Sequence, residues 1–267
     1  MRGNFAFDGR VAKRYNRQRA HPAEVSREIG EAIAAEVRAS PKANGRLLEI
    51  GVGTGRIGWP IVNAGCEVVG IDLSANMLTE IPAGAPFAPA VLPTAVADMH
   101  ALPVANNSID GVLVVHVLHL AKNLPAVLDE IKRVLRPNGV FIRGSDWLDP
   151  NSVMARFRDE LRAHVLTQAP NMRPPAAGAP VAEHLSMLAA GAVEQKTAVS
   201  FTTQLSPAER LAAVENKQDS ESWFLPPPMH KTAVAHLRQW AASTWDNLEE
   251  PQPVHRRFDL QLIRGRW

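Results

Sequence analysis

Alternating glycines at Gly51, Gly53 and Gly55, with Glu49 just before them and Asp72 further along, are the residues of this chain whose types and spacing most plainly suit chemistry. Lacking a Cβ, glycine lets a backbone turn tightly and approach a bound molecule. The apolar run Leu47 to Ile50 predicts a buried parallel strand, and a helix is expected from about Ile57 to Ala64, stopped by Gly65. A second apolar strand, Glu67 to Ile71, ends in Asp72. Strand, glycine turn, helix, strand and terminal acid make a βαβ unit suited to the ribose of an adenosine-containing ligand. The Asp72 carboxylate would accept hydrogen bonds from the ribose hydroxyls. Gly53-Thr54-Gly55-Arg56-Ile57-Gly58 also satisfies the G-x-G-x-x-G pattern of dinucleotide enzymes, so a nicotinamide or flavin ligand stays open at this point.

Further chemistry-bearing residues follow. Asp98-Met99 comes after a brief strand predicted over Thr94 to Ala97. The most apolar run, Ile109 to Leu118, reads as a central strand buried on both faces, with His116 and His119 at its carboxyl end. A histidine there suits general-base work on a hydroxyl or protonated amine. The sequence carries no evident carboxylate pair or serine triad, and its histidines lack metal-ligand spacing. The single Cys66 rules out an internal disulfide and a cysteine-rich zinc site.

These residues need a scaffold, and the periodicity supplies one. Pro22 suits a first helical position, and Val25, Ile29, Ile33 and Val37 form an apolar stripe ended by Ser40-Pro41. Ser74 is a plausible N-cap for a short helix, Ala75 to Glu80. Val127, Leu128, Ile131, Val134 and Leu135 mark a helix ended by Pro137-Asn138-Gly139, and Val140 to Arg143 makes the next strand. The alternation of strands and helices argues for a doubly wound, mostly parallel sheet that binds ligands at the carboxyl ends of its strands. Beyond it the sequence predicts a helix over 152–167, a mobile Pro/Ala/Gly connection over 169–180 and a strand over 194–203. A helix opening at Ser206-Pro207, a break at Pro226-Pro227-Pro228, a helix over 232–245 and a strand over 258–263 close the chain.

Several spaced motifs agree with one family. The chain resembles class I S-adenosylmethionine-dependent methyltransferases, of the small-molecule group that includes the quinone-pathway enzymes. The resemblance rests on Glu49 to Gly55, Gly70-Ile71-Asp72-Leu73-Ser74, Ala97-Asp98-Met99 with Leu102-Pro103, and Asn107-Ser108-Ile109-Asp110. Leu118-His119-Leu120 and Glu130-Ile131 through Arg136-Pro137-Asn138-Gly139 complete it. It implies an α/β, Rossmann-like sheet of seven strands, mostly parallel with the last antiparallel, and helical lid insertions. Residues 1–40 would be a helical cap, 41–147 the S-adenosylmethionine-binding core, and 148–267 strands six and seven with the lid. Gly51, Gly53 and Gly55 would pass close to the cofactor, Glu49 would face its ammonium, Asp72 would take the ribose hydroxyls, and Leu73 is a further cofactor contact. Asp98 and the Met99 N–H would address the adenine, Tyr15 would close over the cofactor, and backbone around Val115 and His116 would lie near the methionine end. The reaction implied is in-line methyl transfer to a small molecule, with His116 and His119 as candidate bases. Trp223, Phe224, His230 and Trp240 are candidates to line an apolar acceptor site. A nucleotide-linked oxidoreductase and a cofactor-binding module without turnover are the alternatives.

Composition sets outer limits. An apolar share of 46% is that of a globular chain, and a formal net charge of +2 is too small an excess to point to nucleic acid. No apolar signal core opens the chain, and prolines interrupt the weakly apolar stretch 81–97, so neither membrane insertion nor secretion is expected and the location expected is cytoplasmic. No feature specifies an oligomeric state.

Overall fold

All seven residues of Ile109–Val115 are buried, and this strand sits at the middle of the sheet. β-Branched and aliphatic side chains on both faces suit a strand covered by helices on either side. The computed structural model describes residues 12, 20–40, 45–81, 91–171, 185, 193–218, 220–223 and 225–265. Its strands are β1 (Arg46–Ile50), β2 (Glu67–Asp72), β3 (Thr94–Val96), β4 (Ile109–Val115), β5 (Leu135–Leu148), β6 (Glu194–Leu205) and β7 (Gln252–Arg264). They form one seven-stranded sheet in the order β3-β2-β1-β4-β5-β7-β6.

The β1–β2, β1–β4, β2–β3 and β4–β5 pairs are parallel. β7 runs the other way: Asn138 bonds Gly265, Arg143 bonds Gln261 and Asp149 bonds His255, so partner numbers fall along β7 as they rise along β5. The Thr197–Asp259 and Thr202–His255 side-chain bonds give the same antiparallel sense to β6 and β7. The expected doubly wound sheet with an antiparallel last strand is therefore present. Strand order reverses at β1, which has β2 on one side and β4 on the other. Ligands in open α/β sheets bind at such a switch point.

The chain contains two compact units. The first comprises residues 1–145, 177–199 and 258–267, the second 146–176 and 200–257, with bounds falling inside β5, β6 and β7. In the first, α1 (Ala23–Arg38) turns its predicted stripe of Val25, Ile29, Ile33 and Val37 into the interior. Burying each of these side chains stabilises by about 1.5–3 kcal/mol. On the other face, α4 (Leu124–Val134), capped by Asn123, buries Val127, Leu128, Ile131 and Val134 against Leu48, Ile50, Val112, Val114 and Phe141. The shorter α2 (Gly58–Asn63) and α3 (Ala75–Leu78), the latter capped by Ser74 as expected, join β1 to β2 and β2 to β3. In the second unit, α5 (Val153–Gln168), α6 (Pro207–Glu215) and α8 (Pro227–Thr244) share a core of Phe157, Leu161, Val214, Leu237 and Ala241; α7 (Ser220–Trp223) lies between α6 and α8 in sequence. A capping box of Ser206 with Glu209 starts α6.

Several boundaries differ from the periodicity reading, β7 for one beginning at Gln252 and β5 running on to Leu148, and four of the differences have a local cause. β4 stops at Val115, because His116 takes a left-handed φ of 52° that ends the pairing, and Leu118–Leu120 is a 3-10 turn. β5 begins at Leu135, which pairs with Ile109; Arg136-Pro137-Asn138-Gly139 is an irregularity inside the strand. Pro22 is the N-cap of α1 and precedes its first helical residue. Pro227 and Pro228 open α8, since proline's missing N–H costs nothing in a first helical turn.

Where α1 crosses α2, a Cβ on Gly30 would lie 2.4 Å from the backbone carbon and oxygen of Pro60. Alanine would gain about 1 kcal/mol of helix propensity there. The backbone it meets cannot rotate away, so overpacking should dominate. Gly30→Ala is expected to destabilise the protein by about 1–3 kcal/mol net in urea unfolding, and an unchanged midpoint would refute this contact.

Candidate active site

The glycine loop leaves the carboxyl end of β1 and is tied at once to the neighbouring strand. The N–H groups of Gly51 and Val52 both donate to the Ile71 carbonyl, at 2.8 and 3.0 Å. Gly51 has a φ of 74°, and a Cβ on it would come within 2.6 Å of the Val117 side chain. The position therefore needs glycine twice over, for its φ and for the closeness of the segment that follows β4. That contact brings the loop against the chain between His116 and His119.

Asp72 closes the loop from the other side. Its Oδ2 accepts from the Gly53 N–H at 2.9 Å and its Oδ1 from the Ser74 N–H at 2.8 Å. Burial raises its pKa above the ordinary value, and the N–H groups of Ser74, Gly53 and Leu73 pull it back down. Two oxygens offer roughly four lone-pair directions, so acceptor capacity remains. Beside it, Leu73 is 72% exposed, an apolar face left in water next to the carboxylate.

Glu49 is the electrostatic oddity of the site. It lies on β1 and is 2% exposed, and its Oε2 has no hydrogen-bond partner among the described residues. A Cβ on Gly58 would sit 2.7 Å from that oxygen, so only glycine leaves it room. Burial pushes the Glu49 pKa up to about 8; Arg56 opposes the shift and the charge of Asp72 adds to it. Between about 4.5 and about 8 the unfolded chain has released a proton that the folded chain keeps. Glu49 therefore costs stability increasingly as pH rises through that window. The indole Nε1 of Trp59 is likewise buried without a partner among the described residues, near the space a Gly55 Cβ would take. An unpaired acceptor and an unpaired donor beside one loop suit a ligand end carrying both an ammonium and a carboxylate.

Asp98 follows β3 on a half-exposed loop. Its Oδ1 accepts from the His100 N–H at 2.9 Å and meets His100 Nδ1 at 2.6 Å, and these bonds hold its pKa below the ordinary value. The Asn123 N–H reaches His100 Nε2 at 3.2 Å, so the ring proton belongs on Nδ1, donating to Asp98. Sequence reasoning missed His100; an aspartate two residues before a histidine is too common to signal this bridge. Met99 packs its side chain against the core.

His116 and His119 both come at the end of β4 as expected. His119 keeps part of its ring in solvent, yet desolvation of the remainder, then the charges of His116 and Arg143, hold its pKa below the usual imidazole value. It stays neutral near pH 7 and able to take a proton. Arg143 on β5, opposite Val114 of β4, donates to the Gln261 amide oxygen and has its pKa lowered by desolvation; no local pattern of residues marks it.

Two of the remaining candidates belong to the second unit. His230 Nε2 bonds the Val214 carbonyl at 2.9 Å, and Trp240 packs edge-on to Phe157 and Trp245, both inside the second unit. Trp223 ends α7, but its side chain falls outside the described residues, as do Tyr15, Phe224 and most of the 169–180 connection. Among the described residues no group of histidine, cysteine and carboxylate side chains could hold a metal, and no helix is long and apolar enough to cross a membrane.

Comparison with known proteins now adds to the geometry. Residues 48–143 match the model of a methyltransferase domain. Uncharacterized methyltransferases of Mycobacterium tuberculosis and Mycobacterium bovis are 37% identical over 99 residues, which is 37% of this chain and 39% of their own length. A malonyl-[acyl-carrier protein] O-methyltransferase of Methylococcus capsulatus is 31% identical over 119 residues, 44% of this chain and 43% of its own. The match thus spans about two-fifths of these relatives. A candidate type II methyltransferase from Anaeromyxobacter dehalogenans has the same fold, with a TM-score of 0.60 at 16% identity over 92% of this chain and 97% of that one. So does the [4+2]-cyclase SpnF, with a TM-score of 0.52 at 15% identity over 93% and 85%. Over residues 48–143 the chain thus matches a methyltransferase domain, and the fold around it is that of known methyltransferases.

Proposed function

We propose that this protein binds S-adenosylmethionine at the β1–β2 glycine loop and transfers its methyl group to a small-molecule acceptor by in-line displacement. The observation that carries the reading is Glu49, a buried carboxylate whose Oε2 has no partner among the described residues and is spared a clash only by Gly58. Leaving a charge so placed is expensive unless a cation arrives to pair with it. An amino-acid ammonium is such a cation, and the Trp59 N–H supplies a donor for the carboxylate that accompanies it. Asp72 would spend its remaining acceptor capacity on the ribose hydroxyls, Leu73 would offer its exposed face to the adenine, and Asp98, held by His100, would accept from the adenine amino group.

A bound sulfonium supplies an already activated methyl group. The protein's task is then alignment and exclusion of water. The tight Gly51–Val117 approach brings His116 and His119 beside the loop, and a neutral His119 could take the proton from an acceptor hydroxyl or amine at its ring nitrogen. The mycobacterial and Methylococcus relatives match over less than half of the chain, so the acceptor is left to this protein's own residues.

Calorimetry with S-adenosylhomocysteine against NAD(H) tests the reading directly: the former should bind and the latter should not. Asp72→Ala should weaken S-adenosylhomocysteine binding by about tenfold or more, since both the ribose acceptor and the anchor of Gly53 are lost. Undiminished affinity in a folded variant would count against the assignment. Glu49 gives a sharper test. With its pKa up to about 8, it is mostly protonated in the free protein at pH 7 and must ionise to pair with an ammonium. Binding at pH 7 should therefore release a proton, seen as a dependence of the heat on buffer ionisation enthalpy, and affinity should rise as pH climbs toward about 8. Glu49→Gln should abolish the release, weaken binding, and stabilise the free protein at pH 8, where the buried charge costs most. Proton release equal in wild type and Glu49→Gln would be incompatible with this role.

A further inference from the structure

We propose that Arg143, with Gln261, forms an anion-binding subsite beside the reaction centre, so that the methyl acceptor carries an oxyanion such as a carboxylate or phosphate. The inference rests on the methyltransferase reading and adds to it the chemical class of the acceptor. Arg143 sits opposite Val114, one residue short of the end of β4, on the strand next to the one that leads into His116 and His119. Its partner by hydrogen bond is a neutral amide, Gln261 Oε1 on β7, and among the described residues no carboxylate lies within salt-bridge distance of it. Three other arginines of this unit are matched by carboxylates. Arg136 pairs with Asp110, Arg133 with Glu130, and Arg264 with Glu36.

A half-buried guanidinium loses hydration that only an anion restores well, and its planar fork suits a bidentate carboxylate or phosphate. The charge is felt locally, since Arg143 is one of the causes that hold the His119 pKa down. His119 in turn follows Val117, which touches the Gly51 position of the cofactor loop. Cation, neutral imidazole and glycine loop thus belong to one neighbourhood of the first unit. An acceptor anchored there by its anion would present its nucleophile between His119 and the loop.

The test uses the whole chain saturated with S-adenosylhomocysteine and two probes, succinate and inorganic phosphate, titrated while the His119 ring is followed by NMR. In wild type, at least one probe should bind and raise the His119 pKa, because an anion on Arg143 cancels the charge that depresses it. Arg143→Gln should weaken that binding by about tenfold or more and raise the His119 pKa without any probe, while Arg143→Lys should retain part of the binding. A response to succinate alone points to a carboxylate-bearing acceptor, and a response to phosphate alone to a phosphorylated one. If neither probe binds wild type, or if Arg143→Gln binds them as well as wild type does, the subsite is wrong even though S-adenosylhomocysteine still binds. Failure of S-adenosylhomocysteine itself to bind would overturn the methyltransferase reading instead. Arg143→Lys, which keeps the charge, guards against a Gln variant that fails to fold.

Discussion

The hydrogen bonds from the Gly53 and Ser74 N–H groups to Asp72 hold the site in one shape. They join the loop after β1 to the turn after β2, so two strand ends become a single rigid rim. Burial of the carboxylate raises the cost of its charge, and backbone donors repay much of that by hydrogen bonding the ionised form. A loop fixed in this way loses little conformational entropy when a ligand arrives, which is the physical content of preorganisation. The shape also depends on β4, whose complete burial fixes the register that places Val117 under Gly51.

Charge around this rim is arranged asymmetrically. On the β1 side stands a buried acid with a raised pKa and an oxygen that has no partner among the described residues. On the β5 side stands a half-buried cation whose hydrogen-bond acceptor is an amide. Neither arrangement favours the fold taken alone, since the buried acid must hold its proton to avoid a desolvated charge and the half-buried cation loses hydration. Such costs gather where ligands bind, because there the missing partner is supplied from outside. The two opposite imbalances are separated by the strand β4, and the neutral His119 stands near the cationic one. The proposal assigns the first to the donor's ammonium and the second to the acceptor's anion.

Features set by local spacing were legible in the sequence. The glycine loop, Asp72 at the end of β2, the Ser74 cap and the α1 stripe each depend on residues a few positions apart, and each is present where the pattern puts it. The run from Glu130 to Arg133 shows the middle case. It was readable as a family signature, but its work is visible only in three dimensions: Arg133 bonds the carbonyls of Leu102 and Val104, and Glu130 takes the Leu102 N–H. These bonds fasten the stretch just beyond Asp98 to α4. His100, Trp59 and Arg143 were illegible because their roles come from partners distant in sequence. Pro227 and Pro228 misled for a different reason. Proline breaks a helix interior yet suits its first turn, and the triplet alone does not say which side of it the helix lies on.

Fold alone does not set the reaction. A [4+2]-cyclase shares this architecture over most of both chains, so the sheet and its switch point serve more than one chemistry. What separates the possibilities is the chemistry of a few side chains at the rim. A dinucleotide enzyme has phosphates to place at the glycine turn, where a buried acid offers them no cation to pair with. Glu49 sits at the base of that turn with its pKa raised both by burial and by the nearby negative charge of Asp72. A ligand bringing two phosphates would add further negative charge to the same pocket, whereas a zwitterionic, sulfonium-bearing ligand relieves the imbalance already present. On electrostatic grounds the loop is therefore better suited to a cationic nucleoside than to a pyrophosphate, and the proposed methyl donor is such a nucleoside.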